Sequence, residues 1–406
     1  MEYLALDLGS TNTKAYLLED GRVVRALNAD TPAPLGDGRE RYEIDAEAYF
    51  GLILRLLSAL RTSRTRGLLL STQMHGYVLT NERFLPLSPY VSWRDGLGKK
   101  HLKEIETLLG RDAAAPSGVP LKGNLALCAL LGRAMEGEST PVGARFCTLG
   151  GYVIGRLTGA HVCHMTNAAP SGLCDVRGGA WNEALIRRAG LEGLVFPALI
   201  DDLSPAGDWA GVAVYPDLGD QQVCALGADL RADHDIHVSL GTAGLIGCLS
   251  KVWAAGAFES RPWLMPGLYL RTVSGLPGGR HVAALEKLLR DLAQTLSGAA
   301  VLDERVWRFM TEPRAGDAPG GTLLSALCGT PEELVTEFYA GMANAFLDAA
   351  NRIAKRVDRV AFSGGCAAKN PALRGYFGRV FMCEADGADY DVTAGFLRLI
   401  RLIEKS

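Results

Sequence analysis

Long apolar runs, paired cysteine motifs and a surplus of basic charge are all missing from this chain. No hydrophobic stretch approaches the ~20 residues that cross a bilayer as a helix, so a helical membrane protein is not expected. No Cys-x-x-Cys pair occurs, and the nine cysteines are an odd number. Cys128, Cys147, Cys224, Cys248 and Cys328 sit inside apolar stretches, where reduced, buried thiols are expected and disulfides are not. The 42 Lys and Arg residues face 45 Asp and Glu, and the formal net charge of −3 argues against nucleic acid or an anionic membrane as the main partner. The N-terminus runs straight into a strand bearing Glu2 and Asp7, so no signal peptide is expected and a cytoplasmic setting is. His161-Val162-Cys163-His164 invites a metal reading. It lies on an expected strand whose alternation sends neighbours to opposite faces, and metal sites need three or four converging ligands, so no metal is expected there.

What the chain does contain is a duplication. Leu4-Ala5-Leu6-Asp7-Leu8-Gly9-Ser10-Thr11-Asn12-Thr13-Lys14 is echoed by His237-Val238-Ser239-Leu240-Gly241-Thr242-Ala243-Gly244-Leu245. Each copy reads as an apolar strand, a tight turn on Leu-Gly with hydroxyl residues, and a second apolar strand. Glycine lets backbone amides approach phosphate oxygens closely, and hydroxyls add donors. Such turns are common in isolation; the repetition, with an aspartate in only one copy, makes a pair of phosphate cradles the stronger reading. Asp7 beside the first turn is then a candidate magnesium ligand, acting through water because Mg²⁺ sheds its hydration reluctantly.

At 406 residues the length fits two or three domains, and the order of elements reads as α/β with a mixed sheet in each half. Helical spacing runs from Ala46 to Leu60, and a buried strand from Arg66 to Thr72 ends in the polar tip Gln73-Met74-His75-Gly76. Polar tips of buried strands are where α/β ligand sites form. Residues 97 to 157 are helix-rich, a loop covers Thr166 to Gly172, and a helix opens at Asp220. The polar cluster Arg231 to Asp235 is the expected boundary, giving domains 1–232 and 233–406. In the second half, helices are expected from His281 to Leu296 and from Pro331 to Val357, the latter with Thr330 as N-cap and Pro331 at its first position. A strand follows at Arg359–Ser363, and a helix closes the chain from Val392 to Glu404.

Asp220 can be read in two compatible ways: as the cap of its helix, or as a general base that deprotonates a hydroxyl in phosphoryl transfer. Gln73, Met74, His75, Trp93, Arg94 and Asp95 supply the apolar wall and polar groups that a polyol pocket needs. Asn167 reads equally as part of that pocket or as an Asx turn. Ser363-Gly364-Gly365 with Asn370 reads as a platform for a flat ring or as a simple strand-to-helix turn.

Taken together these segments resemble the FGGY carbohydrate kinases, and within them sedoheptulokinases and xylulokinases. Asp7–Lys14 is similar to the family's first phosphate motif and Ser71–Gly76 to its sugar motif. Ser92-Trp93-Arg94-Asp95 is similar to its Trp-x-Asp motif, and Leu157-Thr158-Gly159 with Thr166-Asn167-Ala168 to its LTG and NA segment. Gly219-Asp220-Gln221 matches the GDQ motif, Ser239–Thr242 the second phosphate motif, and Ser363–Pro371 the adenosine motif. The resemblance implies two ribonuclease-H-like domains of the actin and Hsp70 ATPase type flanking a cleft, and transfer of phosphate from Mg-ATP to a hydroxyl of a ketose. It assigns Asp220 as base and Gln73, Met74, His75, Trp93, Arg94, Asp95 and Asn167 to the sugar. Gly9, Thr11, Asn12, Thr13, Gly241 and Thr242 fall to phosphate, Gly364, Gly365 and Asn370 to adenosine, and Asp7 to Mg²⁺. A small sugar is the implied partner, and a homodimer is left open. Tyr215-Pro216-Asp217 replaces a run of glycines, Thr72 replaces a glycine, and the second domain is shortened. A rival expectation is a kinase relic that binds sugar or nucleotide without turnover.

Overall fold

A computed structural model describes residues 1–36, 38–230, 233–254, 258–298, 300–312 and 330–405. The chain forms two compact units. The first comprises residues 1–223, 251–269 and 395–406, the second residues 224–250 and 270–394. This division differs from a single cut near residue 232. The chain leaves the first unit inside the helix that Asp220 opens, returns to it for residues 251–269, and ends in it. Closing contacts, which sequence order does not reveal, decide the membership of these stretches.

In the first unit, β1 (Glu2–Leu8), β2 (Asn12–Glu19) and β3 (Arg22–Asp30) form an antiparallel meander. Helix α1 (Ala46–Leu60) leads to β4 (Thr65–Thr72), which pairs parallel to β1. Later β5 (Gly207–Trp209) and β6 (Val212–Gly219) complete the order β5-β6-β4-β1-β2-β3, with β6 parallel to β4. The register aligns Asp7, Ser71 and Leu218 across three neighbouring parallel strands. Asp45 caps α1, its Oδ1 accepting from Ala48 N at 2.9 Å. Tyr49, Phe50, Ile53, Leu57 and Leu60 recur at helical spacing and are buried against Leu4, Leu6, Leu68 and Leu70 of the sheet. Helix α2 (Ala126–Met135) supports a second cluster with Tyr77, Val91 and Phe146, and α3 (Leu149–Thr158) packs on the main sheet.

The stretch expected to be a loop at 166–172 is instead a short helix, α4 (Met165–Ala168), followed by a 3-10 turn. His164 Nδ1 accepts from Thr166 N at 3.1 Å and starts it. Helix α5 (Asp220–Gly227) opens where expected, directly from β6.

The second unit repeats the topology of the first. β7 (Asp235–Leu240) and β8 (Gly244–Ser250) form an antiparallel hairpin, β9 (Tyr269–Leu276) lies beyond β8, and β10 (Arg359–Ser363) and β11 (Glu384–Asp389) extend the sheet in parallel from β7. The order β9-β8-β7-β10-β11 matches β3-β2-β1-β4-β6, a ribonuclease-H-like pattern in both units. Helix α6 (Gly279–Ser297) brackets the expected 281–296, while α7 (Pro331–Ile353) stops four residues short of Val357. Helix α8 (Pro371–Phe381) follows the adenosine-like segment, and α9 (Val392–Ile403) ends the chain. Cys128, Cys147 and Cys248 are buried free thiols as expected, Cys224 is only half-buried, and Cys328 lies outside the described residues.

Helix α7 begins with a reciprocal cap: Thr330 Oγ1 accepts from Glu333 N at 3.2 Å, and Glu333 Oε2 accepts from Thr330 N at 2.8 Å. Thr330→Ala removes one arm of it, so stability is expected to fall by about 1 kcal/mol. Urea unfolding followed by circular dichroism measures this, and an unmoved midpoint would show the cap to be dispensable.

Candidate functional site

The C-terminal ends of β1, β4 and β6 bring three sequence-predicted segments to one edge of the first sheet. β1 delivers Asp7 and the turn Gly9–Asn12, β4 delivers Gln73–Gly76, and β6 delivers Asp220 at the first position of α5. Asp7 on β1 and Asp220 just past the end of β6 are separated only by β4, the two strands lying about 10 Å apart in the sheet. Both are partly buried. Burial, and next the negative charge of Asp7, push the Asp220 carboxyl up to about 6, against opposing pulls from the Gln221 amide and Arg261. Asp220 Oδ1 accepts from Gln221 N at 2.8 Å, a contact with its immediate neighbour and not the bond of an N-cap to the helix's second or third amide. Asp220 therefore enters as a carboxylate near its titration point beside a second carboxylate.

The first turn is held from below. Gly9 O accepts from Thr31 Oγ1 at 3.0 Å, Gln73 Nε2 at 3.1 Å and Tyr49 OH at 3.4 Å. A Cβ on Gly9 would come within 2.9 Å of Asn12 O, so only glycine closes the turn this tightly. Ser10 and Asn12 are half-exposed and Thr11 is exposed. Thr13 corrects the sequence reading: its side chain is fully buried and bonded to Thr31 Oγ1 and Tyr49 OH at 3.1 and 3.3 Å. Strand alternation turns it into the core, so its hydroxyl cannot face a phosphate. Gln73 is likewise buried, with its carboxamide between Gly9 O and Ser92 Oγ, at 3.5 Å from the latter. It positions the turn.

His75 adopts φ 72, a left-handed conformation rare for a non-glycine residue and typical of functional sites. Its Nδ1 lies 2.8 Å from Pro170 O. A carbonyl only accepts, so Nδ1 carries the proton. Burial, and then Arg261, push the imidazole down to about 4, so it is neutral at physiological pH and presents Nε2 as an acceptor. Trp93, 40% exposed, stands beside Arg94, whose guanidinium stacks on Tyr42 at 4.2 Å and donates to Tyr42 OH at 2.8 Å.

Three other predicted residues are committed elsewhere. Asp95 is 4% exposed, forms a two-pronged pair with Arg133 at 3.0 and 3.1 Å, and accepts from Tyr42 N and Leu97 N. With both oxygens occupied, it braces the Trp93 loop and does not face a sugar. Asn167 is buried, its Nδ2 donating to Thr72 Oγ1, Asp217 O and Asp217 Oδ2 at 2.9, 2.9 and 3.1 Å. Asp217, missed in the sequence, also accepts from Thr148 Oγ1 at 2.7 Å and His164 N at 2.9 Å, and burial pushes its carboxyl up to about 6. This network ties β6 to α4 immediately before Gly219 and Asp220. In the second unit, Asn370 is fully buried; its side chain caps Leu373 N at 3.0 Å and donates to Tyr339 OH at 2.7 Å. It shapes the segment after Gly364-Gly365 and is not exposed to a ligand.

The second turn is also glycine-bound. Gly241 O accepts from Gly279 N at 2.8 Å, and Gly364, at φ 95, would place a Cβ 2.7 Å from Leu240. Thr242 is exposed and Gly241 half-buried. Among the described residues no group of three or more His, Cys, Asp and Glu could hold a metal. Cys163 and His164 are instead absorbed by Thr148, Thr166 and Asp217. Asp7, with Ser71 Oγ donating to it at 3.2 Å and Asp220 nearby, offers hard, negatively charged oxygen donors. That donor set fits a cation that keeps most of its waters.

Residues 2–213 match the model for the N-terminal domain of the FGGY family of carbohydrate kinases. The chain belongs to the FGGY family. It is 25% identical over 279 residues to xylulose kinase of Escherichia coli K12, a match covering 64% of this chain and 56% of that protein. It is 24% identical over 194 residues to gluconokinase of Bacillus subtilis 168, covering 46% and 38%. The chain thus spans about half the length of these curated relatives. Its fold is similar to the crystal structure of xylulose kinase from Rhodospirillum rubrum, with a TM-score of 0.82 and 19% identity over 98% of this chain and 89% of that one. A gluconate kinase from Lactobacillus acidophilus gives 0.80 and 17% over 99% and 90%.

If Asp95 is a brace, Asp95→Asn leaves the buried Arg133 with Glu43 at 2.6 Å and Glu138 at 3.9 Å as its charged partners among the described residues. Stability is then expected to drop by about 3 kcal/mol, read as a lowered urea midpoint. Retained stability with lost sugar binding would instead make Asp95 a direct sugar contact.

Proposed function

We propose that this chain is an ATP-dependent kinase that phosphorylates a primary hydroxyl of a ketose of the sedoheptulose or xylulose type, with Asp220 as general base. The observation that carries the reading is a carboxylate raised to about 6 at the end of a parallel strand, next to a glycine turn and a second carboxylate. Family membership and relatives named xylulose kinase support it. A base that titrates near the working pH is ionised when the hydroxyl arrives and still basic enough to take its proton. The sugar hydroxyl gives its proton to Asp220 as its oxygen bonds to the γ-phosphorus, and the bond to the ADP oxygen breaks.

The remaining groups position and compensate charge, which is most of what phosphoryl transfer requires. His75 Nε2 accepts from a sugar hydroxyl, with Met74 and Trp93 as walls. Ser10, Thr11 and Asn12 offer donors to phosphate oxygens in the first unit, and Gly241 and Thr242 do so in the second. Asp7 would hold Mg²⁺ through water, and the ion would supply neutralisation of phosphate charge.

Purified protein given ATP and a panel of xylulose, sedoheptulose, gluconate and glycerol is expected to release ADP with a ketose. ADP release that no sugar or polyol stimulates would overturn the proposal. For the responding sugar, kcat/KM is expected to fall as pH drops through about 6, because the raised Asp220 carboxyl then takes up a proton and ceases to be a base. A flat profile from pH 5 to 8 would remove Asp220 from that role. Asp220→Asn is expected to lower kcat by roughly 10² or more. Its melting temperature at pH 7.5 should not fall, because the folded state disfavours the wild-type charge there.

A further inference from the structure

The segment 251–269 returns to the first unit from the middle of the second unit's sequence and carries a buried cation to the sugar-site residues. Arg261, on the strand Glu259–Pro262, is 5% exposed. Its Nη1 donates to Gln221 Oε1 and lies 3.8 Å from Met74 Sδ. Gln221 directly follows Asp220, and Met74 directly precedes His75. One guanidinium nitrogen therefore touches the neighbours of both the proposed base and the proposed sugar acceptor. The other side of the fork is fixed: Nε donates to Glu259 Oε2 at 2.7 Å, Nη2 pairs with the same oxygen, and Lys122 Nζ pairs with Glu259 Oε1. Arg261 and Lys122 together hold the Glu259 carboxyl down at about 2 despite its burial. Gln222, one residue further along α5, donates through Nε2 to Pro262 O at 3.1 Å and tethers the same strand. A Cβ on Gly219 would strike Met74 Sδ at 2.7 Å, so the β6 end and the β4 tip are already in close packing where Arg261 joins them.

We infer that Arg261 is a positioning residue: through Gln221 and Met74 it holds the Asp220 and His75 segments in a single register, with Glu259 and Lys122 as its anchor. A planar fork suits this task because it satisfies a carboxylate on one side and leaves a fixed donor on the other; a lysine offers a point charge on a flexible stem. The role in catalysis rests on the proposed kinase reading, but the coupling of the two segments does not.

The test compares the whole wild-type chain with Arg261→Met and Arg261→Lys by amide hydrogen exchange and by steady-state kinetics. Exchange is expected to accelerate in peptides covering residues 72–77 and 218–224 together, with the β1–β2 hairpin unchanged. Kinetically, kcat/KM for the ketose is expected to fall roughly tenfold or more, the scale of losing a buried hydrogen bond to a charged group, while KM for ATP stays unmoved. Arg261→Lys should not restore the wild-type values. Should Arg261→Met fail to fold, Gln221→Met removes the same link without leaving a buried carboxylate short of its partner, and the same two peptides are read. Faster exchange in one segment only, in neither, or across the whole unit overturns the inference. Because exchange needs no turnover, an inactive wild type would count against the kinase reading and leave this measurement decisive.

Discussion

Parallel pairing of β1, β4 and β6 is the constraint on which the rest of the site depends. Its register sets Asp7, Ser71 and Leu218 side by side, so the next residues of each strand leave the sheet at one level. The groups that follow are a glycine turn, a strained His75 and Asp220. Backbone hydrogen bonding therefore brings two carboxylates to one edge, where burial first and the charge of Asp7 second raise Asp220 within a well-packed α/β unit. A slip of one residue in β1 would send Asp7 to the opposite face, and one in β6 would displace the start of α5 and with it Asp220.

Around that edge, buried polar networks do what apolar packing cannot, which is to fix irregular backbone. Three side chains converge on Gly9 O, Asp217 gathers Thr148, Asn167 and the His164 amide, and Arg133 grips Asp95. Each network sits one layer behind a residue that can meet a ligand. Truncating any of them leaves a buried partner unsatisfied, so its cost passes to the irregular backbone that it holds.

Much of this was legible in the sequence, for identifiable reasons. Helix α1, strands β4 and β10 and the start of α5 announce themselves through periodicity and caps, and the duplicated Leu-Gly turns announce two units of one topology. Residue type in a motif, however, does not say which way a side chain points. Thr13, Asn167, Asp95 and Asn370 fit ligand-binding motifs by sequence, yet all four side chains are buried and bonded to the protein's own interior, Asn167 through Nδ2 alone. Nothing in Glu259-Ser260-Arg261 signals that it joins the first unit, because that depends on where a distant excursion folds back.

The sequence by itself determined the α/β architecture, the repeated strand order, the family and the positions of the strand-end motifs, since local periodicity and turn chemistry are written residue by residue. Tertiary structure alone decided which motif residues face outward, that His75 is neutral with its proton on Nδ1, that the Asp220 carboxyl is raised, and that Arg261 meets Gln221 and Met74. These follow from burial and from groups brought together across 40 residues of chain for Gln221 and Arg261 and 213 for Asp7 and Asp220, and no local pattern encodes a dielectric or a distance.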